Sequence, residues 1–305
     1  MRFNGLDLNL LVALDVLLVE RSISRAAERL NMSPSAMSSA LGRLRDYFDD
    51  ELLVQVGRKM EPTPRAEGLH DAVRDVLLRV DSTIATQPDF VASETNRTFR
   101  IFASDYSQTV LVPLMLSVAA EMRSRARFEL LPHVSNPQRA LERGEADLLI
   151  IPRGLVSAEH PVEVLYEERF VAVMWSNSPL AQSELTIERY LNAEHVVMQP
   201  PGPERDTSYE AGSVKRLDYS RSIAVTTYSF SVMPALVVGT EYIATVHERL
   251  ARAMRRVWPL EVRDVPFAIP PMEEAIQWHK YRTQDPGLVW LRCVIQEAVK
   301  RLDRG

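Results

Sequence analysis

Leu8, Leu11, Leu14, Leu17 and Leu18 recur mostly at three-residue intervals, a spacing that predicts a helix with one buried stripe. A polar break at Glu20–Ser22 comes next. In Ile23–Leu30, the side chains of Ile23, Ala26, Ala27 and Leu30 can form a second apolar face. The two alanines suit a place where another helix crosses closely, although alanine is also simply a good helix former. Ser33 can accept hydrogen bonds from open first-turn amides, and Pro34 fits the first helical position because its missing N–H has no partner to lose. The third helix should run to about Tyr47, with Ala36, Met37, Ala40, Leu41 and Leu44 inward and Ser35, Ser38, Ser39 and Arg43 outward.

Two brief helices joined by a short turn, the second with a small-polar exposed face, match a helix-turn-helix. Serine hydroxyls there can contact bases and phosphates, and Arg43 can grip either. A helix merely solvated by its serines in a bundle fits the same pattern. Leu52–Val56, the basic turn Gly57-Arg58-Lys59 and a return strand from Met60 then read as a wing, although a solvated hairpin tip looks the same in isolation.

Thr63 caps and Pro64 opens a longer helical pattern reaching Thr86. Ala66, Leu69, Val73, Val76, Val80 and Thr83 step alternately by three and four residues along it. This narrow seam can pair with a second copy or pack inside the same chain. Pairing would let two heads read the half-sites of a pseudo-palindrome.

Beyond Pro88 and the polar stretch Ala92–Arg97 the pattern changes to apolar runs alternating with helical stretches. Strands are expected at Thr98–Ala103, Phe128–Leu131, Asp147–Ile151, Val164–Tyr166 and Phe170–Met174, with a short crossover helix at Pro137–Gly144. A second half follows, with strands at His195–Met198, Ile223–Thr226 and Ile243–Val246 and helices at Ile187–Leu191 and Phe230–Val238. Val262–Ile269 leads the chain back to a terminal helix at Val289–Val299. The alternation predicts an α/β fold with mostly parallel sheets. The expected divisions are a head at 1–64, a linker helix at 65–91 and an effector-binding domain at 92–305. Within that domain, lobe one takes about 97–166 and 270–305, and lobe two about 167–269.

Composition narrows the function. The 305 residues carry 36 Lys and Arg against 41 Asp and Glu, a net charge of −5, which excludes a globally positive nucleic-acid coat. A local patch is still permitted: residues 21–65 hold eight Lys and Arg against six Asp and Glu. The single Cys293 rules out an intramolecular disulfide and a cysteine-based zinc cluster. No signal peptide or membrane-spanning run is read, so a cytoplasmic protein is expected. The chain has no glycine-rich phosphate loop, no His-Glu-x-x-His and no nucleophile elbow, and its six histidines form no short-spaced ligand set. His133 and His160 come with no identifiable acid–base partner. No cofactor, no metal and no catalysis are expected.

The first helix, Ser22-Ile23-Ser24-Arg25-Ala26-Ala27-Glu28-Arg29-Leu30, Ser33, Ala36-Met37-Ser38, Leu41, Arg43-Leu44, the basic wing and Thr63-Pro64 occur in an order that resembles the LysR-type transcriptional regulators. The opening Gly5-Leu6-Asp7-Leu8-Asn9-Leu10-Leu11 and the segment Pro62-Thr63-Pro64-Arg65-Ala66-Glu67 look like the nodulation-D branch. Two departures stand out. Ser33-Pro34-Ser35-Ala36 lacks a glutamine that often faces DNA, and Asp49-Asp50 replaces a glycine-containing turn. Those aspartates are expected to face away from phosphate.

The resemblance implies a winged helix-turn-helix with a dimerising linker helix, then a two-lobed effector domain like a periplasmic solute-binding protein. It implies an activator or repressor of promoters, acting as a homodimer or homotetramer and, for activation, touching RNA polymerase. A solute-binding sensor without direct transcriptional activity is the alternative, and it leaves the head without a task. The DNA-contacting candidates are Arg25, Ser33, Ser35, Ala36, Ser38, Ser39, Arg43, Arg58, Lys59, Thr63 and Arg65. Strand ends and helix starts nominate Ser104, Asp105, Tyr106, Pro152 and Arg153 for the effector, with Gln199, Pro200, Pro201, Gly202, Pro203, Thr226, Tyr228, Phe230 and His247 opposite. Aromatic side chains among them, and the nodulation-D likeness, favour an aromatic or flavonoid-like effector.

Overall fold

A computed structural model describes residues 6–57, 59–80, 90–132, 136–199 and 221–303. Two units divide the chain, residues 1–88 with 139–145 and residues 89–138 with 146–305.

In the first unit, side chains in front of each helix set its start. Asp7 accepts from Leu10 N at 3.0 Å to open α1 (Leu8–Glu20), Ser22 caps α2 (Ile23–Arg29), and Ser33 accepts from Ala36 N at 3.2 Å to open α3 (Pro34–Phe48). Ala26 and Ala27 are fully buried where α2 packs on α1 and α3. The stripe of α1 differs from the leucine reading. Leu14, Leu17 and Leu18 are buried, but Leu8 is exposed and Leu11 half-buried, while Leu10, Ala13 and Val16 turn inward. This helix is apolar around most of its circumference, so leucine spacing alone fits more than one face.

The wing is an antiparallel pair, β1 (Leu53–Val56) and β2 (Lys59–Pro62), with Val56 opposite Lys59. Gly57 enters the turn at φ 63°, a conformation that costs glycine little. Thr63 Oγ1 then accepts from Ala66 N at 3.1 Å at the head of α4 (Pro64–Val80). Much of the α4 seam is used inside the head: Ala66 and Val73 are buried and Leu69 is packed on the same core. Its polar neighbours follow. His70 Nε2 lies 3.2 Å from Asp15 of α1, and Arg74 pairs with the same carboxylate. Burial works against the charged Asp15, yet these two partners hold its pKa below the usual value. Val76 is exposed, and Thr83 lies outside the described residues.

The second unit holds two five-stranded sheets. Chain order runs β3 (Thr98–Ala103), α5 (Asp105–Val110), α6 (Val112–Glu121), β4 (Arg127–Leu131), α7 (Pro137–Glu142, which from residue 139 on counts with the first unit), β5 (Leu148–Pro152), β6 (Val162–Glu168) and β7 (Phe170–Trp175). It continues through α8 (Ile187–Asn192), β8 (Glu194–Met198), β9 (Ser222–Thr227), α9 (Met233–Leu236), β10 (Ile243–His247), α10 (Glu248–Arg255), β11 (Leu260–Asp264), β12 (Met272–Trp278) and α11 (Pro286–Leu302). One lobe is ordered β4-β3-β5-β12-β6 and the other β11-β7-β10-β8-β9.

The sheets are mixed, not mostly parallel. β3 runs parallel to β4 and β5, and β8 parallel to β9 and β10. β12 is antiparallel to β5 and β6, and β7 antiparallel to β10 and β11. The chain crosses between lobes twice, at β6–β7 and β11–β12, and a strand that continues from the other lobe enters its sheet against the local direction. Only Met233–Leu236 of the helix expected at Phe230–Val238 is helical. The residues just before it form a turn whose serines bind elsewhere. A terminal cap closes the first lobe: Asp285 accepts from Gly287 N and Leu288 N at the start of α11, while Arg97 grips both its oxygens at 2.6 and 2.7 Å.

Candidate functional site

Met37, Ala40, Leu41 and Leu44 anchor α3 in the head core, which fixes the opposite face outward. Ser33, Ser35, Ser38, Ser39 and Arg43 are all exposed on that side. So is Ala36, which the spacing had put inward. A serine hydroxyl or an alanine methyl lets the helix axis approach a groove wall closely. Arg43 lies 3.4 Å from Asp7 with its side chain 55% exposed, and Arg25 lies 3.6 Å from Glu20 with its side chain 64% exposed. Ion pairs this open are weak, and Arg25 also donates to the Glu20 carbonyl.

The wing sets Lys59 in the open, and Arg25 and Lys59 line one shallow groove with Ser22 and Met60. Arg65 is exposed on the first turn of α4. Arg58 lies outside the described residues. Thr63 is already engaged, donating to Asp50 at 2.6 Å while capping α4. Asp50 also accepts from Leu52 N at 2.7 Å, and these two bonds, Thr63 first, lower its pKa. Asp49 takes the left-handed conformation at φ 49° that ends α3. The two aspartates therefore build the α3-to-wing corner.

The second cluster forms where the two sheets meet. Ser104 caps α5, which brings Asp105, Tyr106 and Ser107 to the β3 end. Asp105 of this lobe accepts from Ser229 Oγ at 2.6 Å, Ser231 N at 2.8 Å and Ser231 Oγ at 2.7 Å in the turn after β9 of the other. Tyr106 stacks on His247 with ring centroids 3.9 Å apart, and Phe170 and Phe230 approach the same imidazole at 5.0 and 4.9 Å. His247 is buried and its Nδ1 has no hydrogen-bond partner. Burial, opposed by Asp105, lowers its pKa to about 3, so the ring is neutral at physiological pH.

Behind this wall lies a buried acid cluster. Tyr106 donates to Glu168, and its hydroxyl is 3.3 Å from that of Tyr166. Arg249 binds Glu168 through its backbone N and its guanidinium, each at 3.2 Å. Ser107 Oγ donates to Glu274 at 2.8 Å. Burial, with Glu168 adding to it, raises the Glu274 pKa to about 8, and burial pushes both tyrosines well above their usual value. At neutral pH Glu274 is therefore mostly a neutral acid.

Of the effector candidates, the structure gathers Ser104, Asp105, Tyr106, Phe230 and His247 into one cluster. Gln199 N donates to Thr227 O at 2.7 Å, which ties it to β9. Pro152 ends β5, and Arg153 beside it is exposed and paired with Glu273 at 3.0 Å. Thr226 and Tyr228 are exposed, Tyr228 to 80%. Pro200, Pro201, Gly202 and Pro203 lie outside the described residues. Ser229 fell within the candidate stretch Thr226 to Phe230, whereas the sequence reading missed Ser231, Glu168, Arg249 and Glu274. A signal existed for the last: a Glu pair between apolar residues in Met272-Glu273-Glu274-Ala275-Ile276. Among the described residues no group of His, Cys, Asp or Glu is arranged to hold a metal, and no helix is long and apolar enough to cross a membrane.

An outward-facing recognition helix with a wing, followed by a two-lobed α/β receptor, defines a regulator that reads DNA and senses a small molecule. Comparison with known proteins specifies which kind. Residues 8–67 match the bacterial regulatory helix-turn-helix of the lysR family, and residues 92–300 the LysR substrate binding domain. Nodulation protein D 1 of Rhizobium leguminosarum bv. phaseoli is 39% identical over 302 residues, covering 99% of this chain and 96% of that protein. Nodulation protein D 1 of Mesorhizobium japonicum is 38% identical over 307 residues, again 99% and 96%. A probable transcriptional regulator from Pseudomonas aeruginosa superposes with a TM-score of 0.64 at 28% identity over 96% of this chain and 97% of that one. Full-length CbnR, solved with its target DNA, shares the fold at a TM-score of 0.62 and 15% identity over 97% and 100%. The chain belongs to the LysR family of transcriptional regulators, and it is a DNA-binding regulator with an effector-binding domain.

Proposed function

We propose that this regulator binds pseudo-palindromic promoter sites through paired heads and changes transcription when a small aromatic, flavonoid-like effector enters the cleft between its lobes. The head comprises residues 1–64, the linker helix 65–91 and the effector-binding domain 92–305. Arg25, Ser33, Ser35, Ala36, Ser38, Ser39, Arg43, Arg58, Lys59 and Arg65 meet the DNA, with Thr63 holding the corner beneath them. The protein acts in the cytoplasm as a homodimer or homotetramer, without catalysis, and contacts RNA polymerase when it activates. Support for pairing comes from the exposed Val76 on the α4 seam, beyond the part used inside the head.

The observation that carries the effector reading is His247: a buried, neutral imidazole ringed by Tyr106, Phe170 and Phe230 with a bare Nδ1. A flat ring with a hydroxyl fits such a wall, since it stacks on the aromatics and supplies the missing hydrogen bond. The likeness to nodulation proteins D adds to this. Titrating the full-length protein with a panel of flavonoids, simple phenols and aliphatic metabolites tests it. Phenolic aromatics should bind saturably to the wild type and about tenfold or more weakly to His247→Phe. Binding of aliphatic metabolites alone would overturn the reading.

A further inference from the structure

Three donors from one turn converge on a single carboxylate oxygen. Ser229 Oγ, Ser231 N and Ser231 Oγ all reach Asp105 Oδ2 within 2.6 to 2.8 Å, from a turn 124 to 126 residues further along the chain. Such short bonds to a charged acceptor are the strong kind. Burial would raise the Asp105 pKa, yet the Ser229 and Ser231 donors bring it below the ordinary value. The Ser229 and Ser231 hydrogen bonds to this carboxylate all come from neutral donors. The serines have little other polar business: Ser229 Oγ is 3.2 Å from Ser231 Oγ, and Ser229 N donates to Thr227 Oγ1.

Two hydroxyls and an amide aimed at one oxygen are what a receptor for a free carboxylate offers. Here the opposite lobe supplies that carboxylate. We propose that the Ser229–Ser231 turn is a carboxylate receptor with Asp105 as its resident occupant, so that the lobes latch without an anionic effector and the cleft selects uncharged phenolic ones. A second anion would find the donors taken and a like charge in the way. A phenolic hydroxyl instead gains, because the three short bonds all end on Oδ2 and the carboxylate keeps acceptor capacity on Oδ1. The selectivity part rests on the cleft being the effector site; the latch does not.

Thermal unfolding of the full-length protein in sodium formate, against sodium chloride of equal ionic strength, tests the latch with no inducer present. Asp105→Ala leaves the receptor empty, and formate should raise its midpoint by about 2–4 °C over chloride. Wild type, with the receptor filled, should show no such difference, and neither should the triple variant Asp105→Ala, Ser229→Ala, Ser231→Ala. An equal response in all three proteins, or none in Asp105→Ala, overturns the receptor. Asp105→Asn keeps the size and an acceptor oxygen while removing the charge, so it serves even where Asp105→Ala fails to fold. It should bind benzoate about tenfold or more tightly than wild type. Equal benzoate affinity overturns the selectivity. If neither protein binds any aromatic while the formate response stands, the effector reading fails and the latch survives.

Discussion

The head and the interlobe cluster use the same side chains in opposite ways. On α3, Ser35, Ser38, Ser39 and Arg43 are exposed, and the pair between Arg43 and Asp7 is long and open. Between the lobes, Ser229 and Ser231 hold Asp105, and behind them in the first lobe Ser107 holds Glu274 while Glu168 is fully buried among Tyr106 and Arg249. Exposed polar groups with weak partners can exchange them for a partner from outside the chain. Closed polar circuits report whether two parts of the same chain are together, because separating them strands charges and donors at high cost. The difference fits recognition by the first and, under the proposed function, switching by the second.

Glu274 gives the largest expected effect, and it belongs to the second region alone. Its folded pKa is about 8, against 4.5 for the free side chain. Between those values the folded protein holds a proton that the unfolded chain has lost, so stability contributed by this group falls as pH rises from about 4.5 to about 8 and is flat on either side. Glu168 faces it as a like charge and Ser107 as a donor. Glu274→Gln keeps a neutral polar group of the same shape with an oxygen for Ser107. At pH 8 the variant should therefore be more stable than wild type, by on the order of 4 kcal/mol as an upper bound, and nearly equal near pH 5. Chemical denaturation at both pH values measures this. A variant less stable than wild type at pH 8 would mean that the ionised carboxylate is wanted there, and the closed circuit would need redrawing. Operator affinity at pH 7 is expected to change little.

Legibility follows the same division. The head's local signals were readable because each is short-range: Ser33 before Pro34, the inward set of Met37, Ala40, Leu41 and Leu44, and the glycine at the wing turn. Where the sequence misled, several faces were equally apolar, as on α1, or a residue was too small to declare a side, as with Ala36. In the second unit, strands such as Ile243–His247 announce themselves as apolar runs, whereas Met272–Trp278 does not, because Glu273 and Glu274 interrupt it. The interruption turned out to be chemistry: Glu274 is buried as an acid. Half of the interlobe cluster was nominated from strand ends, Ser229 among the stretch Thr226 to Phe230, but Ser231 was hidden inside a stretch that reads as helix. Their pairing with Asp105 spans more than 120 residues, and no local pattern encodes that.

A smaller effect tests the open region. Arg43→Ala removes a cation whose side chain is 55% exposed and whose pair with Asp7 is 3.4 Å long, so the fold should lose little. Operator affinity should fall by roughly 1–3 kcal/mol, the range of a base or tight phosphate contact. Effector binding should stay unchanged. Mobility-shift titration against the operator and a scrambled duplex separates two roles: lost discrimination places Arg43 on a base, and equal loss on both places it on phosphate. Unchanged affinity for both duplexes would remove Arg43 from the DNA-reading face. A matching loss of thermal stability would mean that its work is internal, like that of the buried circuit.

Lys59 should produce the mildest change, and one that only salt reveals. It sits exposed at the start of β2, opposite Val56 across the wing turn. A single lysine near a phosphate contributes mainly by releasing a condensed counterion, so Lys59→Ala should lower the slope of log affinity against log salt by about one. Base discrimination should be untouched, since a flexible ammonium on the backbone reads charge and not sequence. The wild-type advantage should then shrink as salt rises and nearly vanish when the ions screen the contact. Affinity of both proteins measured from low to high salt gives the slope directly. If the two lines are parallel, the wing does not lie against the duplex, and the open region contracts to α3 and the residues beside it.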